Sequence, residues 1–317
     1  MKRQRKGSQT FFNEMDIAEA LRGWAFEPGQ VNVRLIRGND GKPKLQLRLD
    51  LGLLQMELEG RPDGKRPHRA ATELEFHRRK LGVHCKKYGS DAGFNIASRD
   101  CQALREESAM FYHRYLSMFV LEQYDAVIRD TQHNLDVLDL CARYGKSEYD
   151  RGCLEQYRPY ITMMNVRAKA CEALRQGYVQ TAIAYLRGGI KKIAHLMPKE
   201  ERKKLLRQSH EARVLLEMLK QIRAQLPPDP RVLLGQKLQE AIRAERFEEA
   251  AELRDQLNAM KPTMANPVSP ASREEEPTIG DAGMPPAMPK AAMPKAAKPR
   301  KPRSKKPRKA DSDSDGA

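Results

Sequence analysis

From His68 to Leu226 apolar residues recur at three- and four-residue spacing with few interruptions, a pattern that confines most of the chain to packed helices. Ala70 to Tyr88 carries Leu74, His77, Leu81 and Cys85 along one side, and Gly89 to Gly93 ends that run. Ser98 or Asp100 is placed to cap the next helix, whose face is Leu104, Ser108, Phe111, Tyr115 and Met118. Tyr124 to Tyr144 follows, with Val127, Ile128, Leu135, Leu138 and Leu140 at helical positions and Gly145 as a natural C-cap. Glu200 to Leu226 has the pattern of one long charged helix. Its Ala212, Leu215, Leu219, Ile222 and Leu226 hold a 3-4 spacing for about two heptads, suited to a helix pair or to packing on the preceding helices. Aromatic content of only 6%, with the single tryptophan Trp24, agrees with helical packing over a β-sandwich.

Ahead of this block the periodicity changes. Phe11 to Trp24 forms a short amphipathic segment with Ile17, Ala20, Leu21 and Trp24 on one side, closed by Gly23 and Pro28-Gly29. Val31 to Ile36 and Lys44 to Leu49 then alternate around the turn signal Asn39-Asp40-Gly41, and Leu51 to Leu58 supplies a third strand ended by Pro62-Asp63-Gly64. A lone hairpin is marginal in water, so the meander needs helices over its apolar face.

Within the helical block two stretches look alike. Tyr112–Leu140 turns at Glu122-Gln123-Tyr124, and Asn165–Ile193 turns at Gln176-Gly177-Tyr178 before Ala182-Ile183. An aromatic residue at the turn followed by alanine resembles tetratricopeptide hairpins, most closely through Ala173, Gly177, Tyr178 and Ala182. The first unit lacks the small residue and the glycine, and the spacing between the units exceeds the usual period, so a helical-hairpin array is expected and a regular repeat is not.

Pro227-Pro228-Asp229-Pro230 and Pro262 isolate Arg231 to Lys261, which has the pattern of two short helices reversing near Ala244 to Arg246. Leu234, Leu238, Ala241 and Ile242 make the apolar face of the first. Phe247, Ala250, Ala251, Leu257 and Met260 make that of the second, with Leu253 at its edge. The run Ala241-Ile242, Glu245-Arg246-Phe247-Glu248, Ala250-Ala251, Leu253-Arg254-Asp255 and Leu257 resembles the UVR motif. That motif occurs at the ends of the B and C subunits of the bacterial excision-repair excinuclease. It also occurs in regulators of protein arginine kinases and unfoldase ATPases. The resemblance implies protein–protein contact through a helical hairpin, often dimeric, and assigns it to Leu238, Ile242, Phe247, Ala250, Ala251, Leu253, Arg254, Asp255 and Leu257.

The formal net charge is +16, which favours nucleic acid, anionic surfaces or acidic proteins as partners. Proline and a shortage of apolar groups predict disorder from residue 263 onward. There Lys290, Lys295, Lys298, Arg300, Lys301, Arg303, Lys305, Lys306, Arg308 and Lys309 resemble the Lys-Pro-Ala tails of linker-histone-like proteins. Non-specific DNA or RNA contact through Lys298 to Lys309 is set against a merely solubilising tail. The five cysteines have no paired C-x-x-C spacing and His84-Cys85 is the one adjacent pair of ligand types, so neither a disulfide framework nor a structural metal is expected. With no G-x-x-x-x-G-K-[ST] loop and no H-E-x-x-H, nothing points to an ATPase or a metalloprotease. Carboxylates such as Glu248, Glu249, Glu252 and Asp255 lie on one helix and alternate with Arg246 and Arg254, as on an ordinary solvated helix surface. No apolar run approaches membrane-spanning length, and no signal peptide follows the basic first residues.

The expected molecule is mainly helical (α+β). It has a flexible arm over 1–10, a short helix plus β-meander over 11–65 and a helical domain over 66–226. A UVR-like hairpin over 227–262 and a disordered basic tail over 263–317 complete it. The expected function is a cytoplasmic, non-enzymatic adaptor without cofactor or metal, docking on a UVR-bearing protein, another protein or a second copy, in repair or protein quality control. The alternative is a nucleoid-associated architectural protein acting through the tail; no membrane association is expected.

Overall fold

A computed structural model of the chain describes residues 16–226 and 230–259. The arm over 1–10, the start of the first helix, Met260 and the tail over 263–317 lie outside the described residues. The rest is mostly helical, with one small antiparallel sheet at its N-terminal end.

The sheet is β1 (Val33–Arg37), β2 (Pro43–Leu49) and β3 (Gly52–Glu57), in that order. Leu35 stands opposite Leu45, Leu45 opposite Met56 and Leu47 opposite Leu54, so alternation gathers the apolar residues on one face. Leu45, Leu47 and Met56 join the main core, together with Tyr115 and Met118 of the helical block. The other face is polar and internally bonded. Arg34 Nε donates to Gln46 Oε1 (2.8 Å), Gln46 Nε2 donates to Gln55 Oε1 (3.0 Å), and Lys44 is paired with Asp40 and Glu57. Gly41, at φ +75°, makes the β1–β2 turn. The amphipathic segment expected over Phe11–Trp24 appears in the described residues as one turn, α1 (Ala18–Leu21), which Gly23 (φ +74°) stops. Trp24 beyond it stacks under the Arg34 guanidinium, 4.1 Å from the ring centre.

The helical block consists of α2 (Glu73–Tyr88), α3 (Ser98–Val120), α4 (Tyr124–Tyr144), α5 (Glu148–Gly152), α6 (Arg158–Arg175), α7 (Val179–His195), α8 (Arg202–Gln208) and α9 (His210–Gln225). The antiparallel pairs α3–α4 and α6–α7 pack through α4 and α6, and α9 lies along α7 and against α6. Leu104, Ser108, Phe111, Tyr115 and Met118 are all buried, as their spacing requires. A second cluster of Leu74, Cys101, Leu104, Leu138 and Ile161 lies toward α2. Gly189 lets α7 approach α6, since a Cβ there would lie 2.7 Å from Val166.

Two local expectations are corrected and one is sharpened in its geometry. Ser98 does not cap α3; its Oγ donates to Asp150 Oδ2 (2.6 Å), and Ala97 occupies the cap position without a side-chain bond. Gly145 does cap α4, its amide donating to the Cys141 carbonyl (2.8 Å), with an extended backbone (φ −60°, ψ 131°) in place of a left-handed one. It is glycine for space, since a Cβ would lie 2.7 Å from the Cys141 carbonyl oxygen. The helix expected over Glu200–Leu226 is two, because Ser209 leaves helical geometry (ψ 124°) and accepts from the Ala212 amide (3.2 Å), capping α9. The seam Ala212, Leu215, Leu219 and Ile222 packs into the main core with α6 and α7 residues.

A buried polar belt joins sheet to helices. Arg114, fully buried, forks onto equally buried Asp130 (2.6 and 2.8 Å) and donates through Nη1 to the Glu57 and Gly60 carbonyls (3.0 and 2.8 Å). Arg129 bridges Asp130 (2.9 Å), Glu59 (2.7 Å) and the Leu58 carbonyl (2.9 Å). Glu107 accepts from the Glu73 and Leu74 amides at the start of α2 (2.7 and 3.2 Å) and faces His133 (3.1 Å) and Arg61 (3.3 Å). Buried charges need such partners, and here they fix the end of the meander against α3 and α4.

Candidate protein-docking hairpin

The last two helices, α10 (Pro230–Arg243) and α11 (Phe247–Ala259), pack chiefly on each other. Glu245 reverses the chain in the left-handed region (φ 57°). Its amide donates to the Ile242 carbonyl (3.1 Å) and the Arg246 amide to the Ala241 carbonyl (2.9 Å). This pair of bonds is a Schellman turn. The same turn closes α3–α4 at Glu122 (φ 56°) and α6–α7 at Gly177 (φ +81°), with matching bonds from Gln123 to Met118 and from Tyr178 to Ala173. One backbone device therefore makes all three hairpins. The fifth residue after each left-handed one, Val127, Ala182 or Ala250, is buried where the two helices meet.

The structure divides the apolar set expected to act as one face. Ala241, Ala250 and Leu253 are buried and Leu234 and Leu238 half-buried, forming a narrow 3-4 seam between the helices. Leu257, half-buried, continues that spacing. Leu253, expected at the edge, is inside it, packed with Ala241, Leu234 and Leu238 of α10. Ile242 (51% exposed) and Phe247 (68% exposed) instead flank the turn on the outside, with Leu233 and Ala251 also exposed. Arg246 pairs with Glu249 (2.9 Å) and Arg254 with Asp255 (3.3 Å), all four exposed. The first of these, at i,i+3 spacing, contributes a few tenths of a kcal/mol. Three buried side chains are a small core for two helices of 14 and 13 residues, lengths at which isolated helices are marginal. Water-facing Phe247 and Ile242 are apolar area that the hairpin itself does not use.

Elsewhere the titratable groups serve the fold. Glu107 accepts from the first amides of α2 and lies beside Arg61 and His133, and burial pushes the Glu73 carboxyl up and His77 down. His84 bonds the Ala92 carbonyl (2.9 Å), and Cys101 is buried in the second core cluster. Among the described residues there is no group of three His, Cys, Asp or Glu able to hold a metal ion, and no helix long and apolar enough to cross a membrane. The tail candidates Lys298, Arg300, Lys301, Arg303, Lys305, Lys306, Arg308 and Lys309 lie outside the described residues.

Residues 234–261 match the family model for the UVR, or UvrB/uvrC, motif. The matched segment covers the α10–α11 hairpin and leaves the meander and the α2–α9 block unmatched. No curated protein and no solved structure matches the chain.

Proposed function

We propose that this chain is a non-enzymatic adaptor whose outer hairpin surface docks against another UVR-type hairpin, carried by a second copy or by a different UVR-bearing protein. One observation carries the reading: the hairpin closes on Ala241, Ala250 and Leu253 and leaves Phe247 and Ile242 outside. Covering a large side chain of this kind contributes about 1.5–3 kcal/mol, which a small two-helix unit gains only from a partner. Motifs of this kind occur in excision-repair proteins and mediate protein contact, which suits docking without specifying the process. Leu238, Ala250 and Leu253 then serve by holding the hairpin shut. Ile242, Phe247 and Ala251 touch the partner, with Arg254 and Asp255 at the rim.

The test compares the full chain with Phe247→Asp. Light scattering reads self-association, and a pull-down from lysate, with captured proteins checked for UVR motifs, reads the second source. Far-UV circular dichroism controls for an intact hairpin, since position 247 is exposed. An unchanged mass together with an unchanged set of UVR-bearing partners would sink the reading.

A further inference from the structure

We infer that the outer side of α7, α8 and α9 is a nucleic-acid-binding face that engages the phosphate backbone independently of the basic tail. Between residues 179 and 226 there are eleven lysines and arginines and four glutamates, and none of the eleven is ion-paired among the described residues. The preceding segment, 61–175, has twenty such cations against sixteen carboxylates, and half of the twenty are ion-paired. A solvated surface drawn from the same composition would look like the earlier segment. The unpaired charge is concentrated in one part of the fold.

Placement supports the same conclusion. Arg187, Lys191 and His195 succeed one another every four residues on α7, opposite the buried Ala182, Leu186, Gly189 and Ile193. Arg213 and Lys220 occupy the side of α9 away from Leu215, Leu219 and Ile222, and the exposed Arg223 flanks it. Lys199, Lys203, Lys204 and Arg207 lie on and before α8, which packs on both helices. Ten of the eleven are exposed, Arg202 being half-buried. Tyr185, also exposed, precedes Arg187 on α7. At 1.5 Å per residue α7 and α9 each extend about 25 Å, so the cations are spread over a rigid area. Duplex nucleic acid carries one charge per about 1.7 Å of axis, and a continuous polyanion of that kind meets cations on three helices at once. A short acidic peptide meets only a few.

The test uses the full chain and fluorescence anisotropy with a labelled duplex DNA, titrated across a series of potassium chloride concentrations. Removing one cation that neutralises a phosphate lowers the magnitude of the slope of log affinity against log salt by about 0.9. The variant Lys191→Gln, Lys192→Gln, Lys203→Gln, Lys204→Gln changes exposed helix positions to a good helix former. It should reduce that slope by about 3.6 and weaken binding at least about tenfold at moderate salt. A second full-length variant, with glutamine at all eight cations of Lys298–Lys309, should keep the part of the slope that depends on the four lysines. Phe247→Asp should leave it unchanged, separating this face from the docking hairpin. Equal slopes in the quadruple variant and the parent overturn the proposal. So does labelled poly-glutamate binding the parent as tightly as the duplex and losing affinity in the same variant, which would assign the face to acidic proteins.

Discussion

Asp130 holds two guanidiniums at once, and its removal should cost more than removal of either cation. In Asp130→Ala, Arg114 stays fully buried without a carboxylate while Arg129, 2.9 Å from the deleted oxygen, faces it as a like charge. In Arg114→Met, Asp130 keeps Arg129, and the remaining deficit is the pair of carbonyls at Glu57 and Gly60. Breaking a buried pair costs about 3–5 kcal/mol, so Asp130→Ala belongs at the upper end and Arg114→Met at the lower. Arg114→Met with Asp130→Leu should cost less than Asp130→Ala alone, because no uncompensated charge stays inside. The assay is urea unfolding followed by two probes. The single tryptophan, Trp24, is stacked on Arg34 of β1 and reports the sheet end, while far-UV circular dichroism reports the helices. In the parent the transitions should coincide. In the single variants the Trp24 transition should move to lower urea first, because Arg114→Met severs the bonds that tie Glu57 and Gly60 onto α3 and Asp130→Ala removes the carboxylate that positions Arg114 and Arg129 for those contacts. A cost below about 1 kcal/mol for Asp130→Ala, or Arg114→Met proving the costlier change, would refute this account of the belt.

Glu122 and Glu245 occupy left-handed positions where the third hairpin has Gly177, so Glu245→Gly and Glu122→Gly should each stabilise by roughly 0.5–1 kcal/mol, and Gly177→Ala should destabilise by about 1, read from thermal melts. His77 is held below its ordinary pKa, chiefly by burial, with Asp100 at 4.0 Å pulling weakly the other way. The unfolded chain then takes up the proton more readily, so stability is full above about pH 6.5 and falls as pH drops below it. His113, shifted down by burial, adds to the same trend, and His77→Leu should flatten the dependence of melting temperature on pH between about 7.5 and 5.5.

Periodicity made the architecture legible where each element buries a single face. The switch from alternating to helical spacing marked the boundary between sheet and helices, and Asn39-Asp40-Gly41 gave the turn with Gly41 at positive φ. What stayed hidden were the charged residues that the core takes inside. Arg114, Asp130 and Glu107 sit at helical positions that a hydropathy pattern assigns to solvent, and only the tertiary fold supplies the partners that make their burial tolerable. Ser209 was hidden for the opposite reason: a cap inside a charged run is a local signal, outweighed by the 3-4 seam that follows it.

The hairpin shows the same limit at smaller scale, and there it bears on function. The spacing of Leu234, Leu238, Ala241, Ala250, Leu253 and Leu257 is helical, and so is that of Ile242, Phe247 and Ala251. Periodicity alone merges the two sets into one broad apolar face. The Schellman turn at Glu245 separates them by fixing how α11 folds back, bringing Ala250 and Leu253 onto α10 and turning Phe247 outward. The motif residues thus fall into a group that shapes the hairpin and a group left uncovered by it. Substituting Leu253 should therefore abolish docking together with helicity, whereas Phe247→Asp should abolish docking and leave helicity in place. That contrast separates a docking surface from a hairpin that is merely fragile.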